Sequence, residues 1–342
     1  MGDDHKQAFA ALDIRNLAVE FRSGNQTLRA VDNVSLRLEK GRTLALVGES
    51  GSGKSVTSLA VMGLLAPGSS HCSGQIWFGG RETTLDLLTL DKKGMRKIRG
   101  DQMAMIFQEP MTSLNPMLTV GEQVAEAITL HRPCTKAQAN AKALECITRV
   151  GIPDPGRRMA AYPHELSGGM RQRIMIAMAL ACDPTVVIAD EPTTALDVTV
   201  QAQILDQIRT LQAELGTAVL FITHDLGVVA EVAHDVAVIY AGQIVETGTV
   251  DQVLTTPLHP YTKALLAAVP RPDRPRHGSL RAIGGMVPDL RNLPTGCRFH
   301  DRCEHRQSDC AREVPALELT EEAHWVRCWR WREQASRVDV TV

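Results

Sequence analysis

Gly48-Glu49-Ser50-Gly51-Ser52-Gly53-Lys54-Ser55 decides how the rest of the chain is read. It has the form G-x-x-x-x-G-K-S. The apolar, β-prone run Thr43-Leu44-Ala45-Leu46-Val47 precedes it, and Ser55 to Leu65 follows with apolar residues at helical spacing. Strand, glycine loop and helix together make a phosphate cradle. The glycines let successive backbone N–H groups turn inward, and the helix N-terminus adds the positive end of its dipole. Gly48, Ser50, Gly51, Ser52, Gly53 and Val56 are the residues expected around the phosphates. Lys54 is expected to reach the β- and γ-phosphates, and the Ser55 hydroxyl to ligate Mg²⁺. The loop alone implies that the chain binds a nucleoside triphosphate.

Composition narrows the class of machine. A chain of 342 residues makes one large or two smaller domains. Its hydrophobic share of 44% and charged share of 22% are those of a globular protein. Lys+Arg 37 against Asp+Glu 39 leaves a net charge of −2, so no basic field points to nucleic acid. Aromatic residues at 4% leave few platforms for stacking bases. No apolar run approaches the roughly 18 residues of a membrane span. Met1-Gly2-Asp3-Asp4-His5-Lys6 lacks a signal-peptide core, so a cytoplasmic protein is expected, with any membrane link made through a partner.

Working outward, residues 12–21 and 34–38 alternate apolar and polar, the period of half-buried strands, with a turn at Ser23-Gly24-Asn25-Gln26. This predicts an antiparallel β layer ahead of the glycine loop. Phe21 closes its first strand and is either an adenine platform or ordinary packing. Residues 75–78 and 103–107 read as strands. Gln108 follows the second of these, on the ligand side of an α/β sheet. From Val120 to Cys182 the pattern turns helical, over 120–130, 135–150 and 169–181. This is a helical insertion in an α/β domain. It ends in Leu166-Ser167-Gly168-Gly169-Met170-Arg171-Gln172-Arg173, a second helix N-terminus suited to an anion.

Val186-Val187-Ile188-Ala189 is a continuous apolar run, as in a strand buried on both faces. Asp190 and Glu191 leave its tip. Asp190 is placed to hold Mg²⁺, and Glu191 to orient and polarise an attacking water. Thr193-Thr194-Ala195-Leu196-Asp197 is a tight connection to a helix at 200–215. His224 ends the next strand, 218–223, again on the ligand side, as a candidate γ-phosphate contact.

These residues together resemble the nucleotide-binding subunits of ABC transporters over roughly 12–265. The Walker A loop is 48–55, the Q-loop is Gln108, and the signature is Leu166–Gln172. Walker B ends in Asp190-Glu191, the D-loop is Ala195-Leu196-Asp197, and the switch histidine is His224. The signature reads LSGGM where the family commonly has LSGGQ. The resemblance implies an α/β P-loop NTPase of the ABC ATPase type: an antiparallel β layer, a RecA-like parallel-sheet core and an inserted α-helical subdomain at about 115–182. It also implies that two such domains face head to tail. Each ATP, with Mg²⁺ held by Ser55, Gln108 and Asp190, would then lie between one chain's loop and the partner's Ser167, Gly168 and Gly169. Glu191, His224 and Gln108 are the implied catalytic residues.

Phe107-Gln108-Glu109-Pro110-Met111-Thr112-Ser113-Leu114-Asn115-Pro116, Met170-Arg171-Gln172-Arg173 and Pro257-Leu258-His259-Pro260-Tyr261-Thr262 look like the oligopeptide/dipeptide permease branch. That similarity implies an ATPase powering import of di- or oligopeptides, with glutathione and nickel as alternative cargo. It implies a second, related ATPase subunit, two transmembrane permease subunits and an extracytoplasmic solute-binding protein as partners. It places the chain peripherally on the cytoplasmic face of a bacterial inner membrane. The rival reading is a soluble ABC ATPase acting on nucleic acid, against which charge and aromatic content stand.

The expected division is 10–265 for the nucleotide-binding domain and 266–342 for a C-terminal extension, entered by the Pro- and charge-rich run after Pro270. The extension carries Cys297-x5-Cys303-x6-Cys310-x17-Cys328. In a reducing compartment such a group is read as a metal site before a disulfide framework. Four thiolates suit Zn²⁺ or an iron–sulfur cluster, and the spacing does not choose between them. Related permease ATPases with similarly placed cysteines are associated with a [4Fe–4S] cluster, which the resemblance therefore implies here, with Zn²⁺ as the alternative.

Overall fold

The computed structural model describes residues 10–24, 26–109, 113–194, 196–269, 283–320 and 324–335. Ala195 of the D-loop, residues 110–112 of the Q-loop segment, the linker after Val269 and the N-terminal residues 1–6 lie outside them.

Two sheets form among the described residues. The first has the order β2-β1-β4-β5 and is antiparallel: β1 (Leu12–Ser23), β2 (Gln26–Leu38), β4 (Ser70–Gly79) and β5 (Thr84–Asp86). Leu12 and Ile14 point to the core, and so do Leu17 and Val19, one residue out of phase. The register with both neighbours slips between these pairs, and Asn16 takes φ 50° there. The bulge absorbs the extra residue and keeps both apolar pairs on one face.

The second sheet has the order β11-β12-β10-β9-β3-β8-β7-β6. Its centre is β3 (Thr43–Val47), parallel to β8 (Ala218–Thr223) and β9 (Asp235–Tyr240). β7 (Val186–Asp190) joins β8 to β6 (Met103–Ile106), all parallel. All residues of β3, β7 and β8 are buried, so the continuous apolar runs are strands covered on both faces. The antiparallel layer and α1 (Lys54–Val61) cover one face, through Leu17, Val34, Ile76 and Ile188. α2 (Lys92–Ile98) lies at the edge of that layer and adds Met95 and Ile98.

The helical insertion covers the other face. α3 (Val120–His131) and α4 (Lys136–Arg149) both open on capping boxes, Thr119 with Glu122 and Thr135 with Gln138. The short α5 (Pro155–Arg158) leads to α6 (Gly168–Leu180). Val124, Ile128, Ile147 and Ile174 share one core with Ile106, Ala189 and Phe221 of the sheet. α7 (Val198–Leu215) closes that core through Ile204 and Leu205.

Past β8, α8 (Leu226–Val232), β9 and β10 (Gln243–Thr249) form an antiparallel corner with α9 (Val250–Thr255) and α10 (Pro260–Ala268). The C-terminal segment then adds to the same sheet: β12 (Trp325–Val326) pairs with β10, and β11 (Glu318–Leu319) pairs with β12. A final turn, α11 (Trp331–Ala335), supplies the Gln334 carbonyl to Lys263 Nζ at 2.8 Å. Glu246 of β10 is fully buried and accepts from the N–H groups of Leu258 (2.6 Å) and His259 (2.9 Å). His324 Nε2 lies 2.8 Å from Oε1, the oxygen that takes the Leu258 N–H. No helix among the described residues is long and apolar enough to cross a membrane.

His259 caps α10 by accepting the Tyr261 N–H on Nδ1 at 3.0 Å, which requires an unprotonated ring nitrogen. Burial pushes its pKa down to about 4, with Glu246 opposing. The unfolded chain takes up that proton near pH 6.5, the folded chain only near 4. Stability is therefore full above pH 6.5 and falls as the pH drops toward 4, by up to about 3 kcal/mol. Denaturant midpoints measured across this window check it; His259→Asn should flatten the slope, and an unchanged slope removes His259 as its source.

Candidate functional site

The glycine loop leaves the tip of β3 where two parallel neighbours also end. The ladder sets Val47 opposite Thr223 and Asp190 opposite Ile222, so Gly48, Asp190, Glu191 and His224 meet at one edge of the sheet. Two glycines are sterically required. A Cβ on Gly48 would stand 2.2 Å from the Ile239 carbonyl oxygen, and Gly53 caps α1 at φ 104°, a conformation side chains resist.

Lys54 is buried beneath the loop. Its Nζ donates to the carbonyls of Gly48 (2.7 Å) and Glu49 (3.0 Å). Burial lowers its pKa, and the charges of Glu191, Asp190 and Glu49 oppose that shift. Ser55 Oγ donates to Asp190 Oδ1 at 3.2 Å, and Ser58 Oγ to Asp190 Oδ2 at 3.4 Å. Burial raises the pKa of Asp190 while these hydroxyls pull it down. Ser52 Oγ is buried inside the loop, without a hydrogen-bond partner among the described residues.

Glu191 sits just past the strand tip with φ 48°, an uncommon backbone for a side-chain-bearing residue. Three groups fix its carboxylate. Gln108 Nε2 donates to Oε2 at 3.1 Å, Thr194 Oγ1 donates to the same oxygen at 3.0 Å, and His224 Nδ1 lies 3.3 Å from Oε1. Gln108 thus joins Glu191 rather than Ser55 and Asp190. Hard oxygen donors at Ser55 and Asp190 fit Mg²⁺, which favours such ligands.

The loop, Lys54, Ser55, Gln108, Glu191 and His224 border one open cleft of about 1020 Å³, whose outer wall includes Phe21, Leu28, Val56 and Leu265. Phe21 is half-buried there. Ser167, Gly168 and Gly169 do not line the cleft. They open α6 on another part of the surface, where Ser167 and Gly168 are exposed and the Ser167 hydroxyl accepts the Met170 N–H at 3.3 Å. Gln172, one turn on, is buried and donates to the Pro192 carbonyl at 2.5 Å, joining this helix to the segment after Glu191.

A model of the ABC transporter family matches residues 31–194. A second, the oligopeptide/dipeptide transporter C-terminal region, matches 245–310. A putative peptide import ATP-binding protein of Brucella ovis is 52% identical over 332 residues, 95% of this chain and 98% of that one. The chain belongs to the ABC transporter family. The dipeptide transport ATP-binding protein DppD of Bacillus subtilis is 50% identical, covering 95% of this chain and 96% of its own. The oligopeptide transport ATP-binding protein OppD of the same organism is 47% identical, at 96% and 91%. Among solved structures, a dimeric post-hydrolysis state of an ATP-binding cassette bound to ADP and Pi matches with TM-score 0.62 and 28% identity, over 70% of this chain and 98% of that one. The ABC ATPase fold of this chain is therefore that of its family.

The sequence motifs of this ABC ATPase mark the strand-tip residues but not all their neighbours. Thr194 passed as part of a turn. Tyr261 served only to mark the family branch, yet its hydroxyl accepts the Glu49 N–H at 2.9 Å. Glu49 fills a variable position of the G-x-x-x-x-G-K-S pattern, yet Arg302 grips it with bonds of 2.6 and 3.0 Å.

The four C-terminal cysteines line one cavity, together with His300 and Trp329. All are free thiols. Burial pushes Cys297 up to about 11 and Cys328 up to about 12, and raises Cys303 as well. Among the described residues, no group of three or more His, Cys, Asp or Glu side chains is arranged to hold a metal ion. The sequence brings the expected ligand set to one place, without a ligating geometry.

Proposed function

We propose that this ABC ATPase hydrolyses ATP to power import of di- or oligopeptides, as one half of a head-to-tail pair. One observation carries the reading: Lys54, Gln108, Glu191 and His224 share a cleft from which the Ser167 helix of the same chain is excluded. A cleft with a catalytic wall and no closing wall is half of a site. The partner's Ser167, Gly168 and Gly169 would supply the rest, with their exposed helix N-terminus facing the γ-phosphate. The peptide cargo follows the named activity of the relatives.

In the closed pair, the loop amides and Lys54 hold the β- and γ-phosphates. Mg²⁺ bound by Ser55 and Asp190 would offset charge on their oxygens. Glu191 takes a proton from water as its oxygen attacks the γ-phosphorus. The bond to the β–γ bridging oxygen breaks, leaving ADP and phosphate. His224 and Gln108, which already touch Glu191, then report the γ-phosphate's presence. Residues 10–265 are the nucleotide-binding domain, with about 115–182 as its helical subdomain, and 266–342 are the extension. The chain would sit on the cytoplasmic face of the membrane, beside two permease subunits, a second related ATPase and an external solute-binding protein.

A second reading concerns the cysteines. Zinc–thiolate bonds near 2.3 Å need four sulfurs within about 3.8 Å of one another, whereas a cubane cluster holds them farther apart. Four half-buried thiols around one cavity are soft donors of the kind an iron–sulfur cluster takes, and the resemblance to permease ATPases with similarly placed cysteines selects [4Fe–4S], with Zn²⁺ as the alternative. The cluster, when bound, would tie the segments carrying the four cysteines into one unit.

Glu191→Gln should bind ATP as the native chain does and lose turnover by about 10²–10⁴-fold; near-normal phosphate release would free Glu191 of the role. Purified from detergent-solubilised membranes, the chain should bring two membrane-spanning proteins and a second ATPase, and peptide with its binding protein should raise ATPase activity. Recovery with nucleic acid and no membrane protein would overturn the import reading. Anaerobic purification should give a brown protein absorbing near ~400 nm, while a colourless one with stoichiometric zinc would reverse the choice of metal.

A further inference from the structure

The extension reaches into the nucleotide site. Residues 297–303 carry two arginines, and both hold the glycine loop. Arg302, with only 4% of its side chain exposed, forms a two-bond ion pair with the Glu49 carboxylate at 2.6 and 3.0 Å. Its other donors go to the Gly284 carbonyl (2.8 Å), the Ile283 carbonyl (3.3 Å) and the Tyr240 hydroxyl (3.2 Å). The guanidinium also lies 5.8 Å from the centre of the Phe299 ring. Arg298 pairs with Asp32 and donates to the Ala241 carbonyl. The next residue, Gly242, donates its N–H to the Ser52 carbonyl at 2.8 Å and accepts the Asp32 N–H at 2.8 Å. One arginine therefore grips the start of the loop directly. The other grips its far side through Gly242.

Glu49 is held at three points. Its N–H goes to Tyr261, its carbonyl takes Lys54 and its carboxylate takes Arg302. It also borders the cleft, one residue from Gly48. An unpaired carboxylate there would repel a triphosphate, and would be free to draw Lys54 away from it.

We infer that Arg302 is a positioning residue for ATP: by neutralising Glu49 it makes the glycine loop fit to receive a triphosphate, so the extension sets nucleotide affinity. This rests on the reading of residues 48–55 as the ATP site. Only a guanidinium matches the carboxylate's two oxygens with two parallel N–H groups, so lysine is a poor substitute.

The experiment is equilibrium binding of a fluorescent ATP analogue with Mg²⁺ to the full chain and its variants. Arg302→Ala should weaken binding about tenfold or more, which is about 1.4 kcal/mol. The double variant Glu49→Gln/Arg302→Ala should recover to within about threefold of the native chain, because no carboxylate is left to neutralise. The Arg302→Ala deficit should also shrink at high salt, as repulsion is screened. Native-like binding by Arg302→Ala overturns the inference. So does a deficit that Glu49→Gln does not relieve, since that is general damage to the extension. Failure of the native chain to bind the analogue overturns the ATP reading itself, and this inference with it.

Discussion

The parallel ladder through β3, β8 and β7 is the constraint on which the site depends. Each strand is buried on both faces, so a slip of one residue would send every side chain into the opposite core, whose packing it does not fit, and draw a flanking polar residue into the sheet. That fixed register brings Gly48, Asp190 and His224 to a common edge. The loop and its two acidic neighbours are then spaced by backbone hydrogen bonds, not by the flexible side chains themselves. The helical insertion strengthens this arrangement because its core is continuous with the sheet's, through Ile106, Ala189 and Phe221. Movement of the insertion as a unit must therefore act on β6 and β7, at whose ends Gln108 and Glu191 lie.

Glu191 shows how local strain and polar contacts combine. Its φ of 48° costs about 1 kcal/mol or more relative to an ordinary backbone. Its N–H donates to the Ile222 carbonyl at 2.9 Å, and three side chains hold its carboxylate. The strained turn lifts the side chain off the strand line toward the cleft. An extended backbone would have continued the strand's alternation and sent it to the face of Val187 and Ala189, against the helical insertion.

The nucleotide side of the molecule was legible in sequence because its signals are local. Glycines at fixed spacing, an apolar pentapeptide and an acidic pair at its tip need no knowledge of distant contacts. The strand at 218–223 and the helices expected at 120–130 and 135–150 stood out for the same reason. The rest hangs on contacts between remote segments. Glu49 fills a variable position of the loop motif and Arg302 belongs to no motif, and only the fold closes the 253 positions between them. β12 is two residues long, too short to show any period, and nothing local marks its partner Glu246 as a buried hub. The bulge at Asn16 likewise blurred the alternation of β1 into a rough one. The cysteines announced a shared site by their crowding, but crowding carries no geometry.

The pairing of β12 with β10 has a consequence for how the chain can be cut. Without residues beyond α10, β10 would be the outer strand of the sheet, with apolar Ile244 and Val245 and a row of unmatched N–H and C=O groups along its length. The C-terminal segment fills that row: Arg327 donates its N–H to the Val245 carbonyl and its Nε to the Ile244 carbonyl, both at 2.8 Å. The two-residue β11 then ends the sheet in an exposed, short and partly charged strand, a form that resists adding another. The extension thus acts as a cap against edge-to-edge association, and a minimal ATPase made by trimming it would trade a smaller chain for a sticky one.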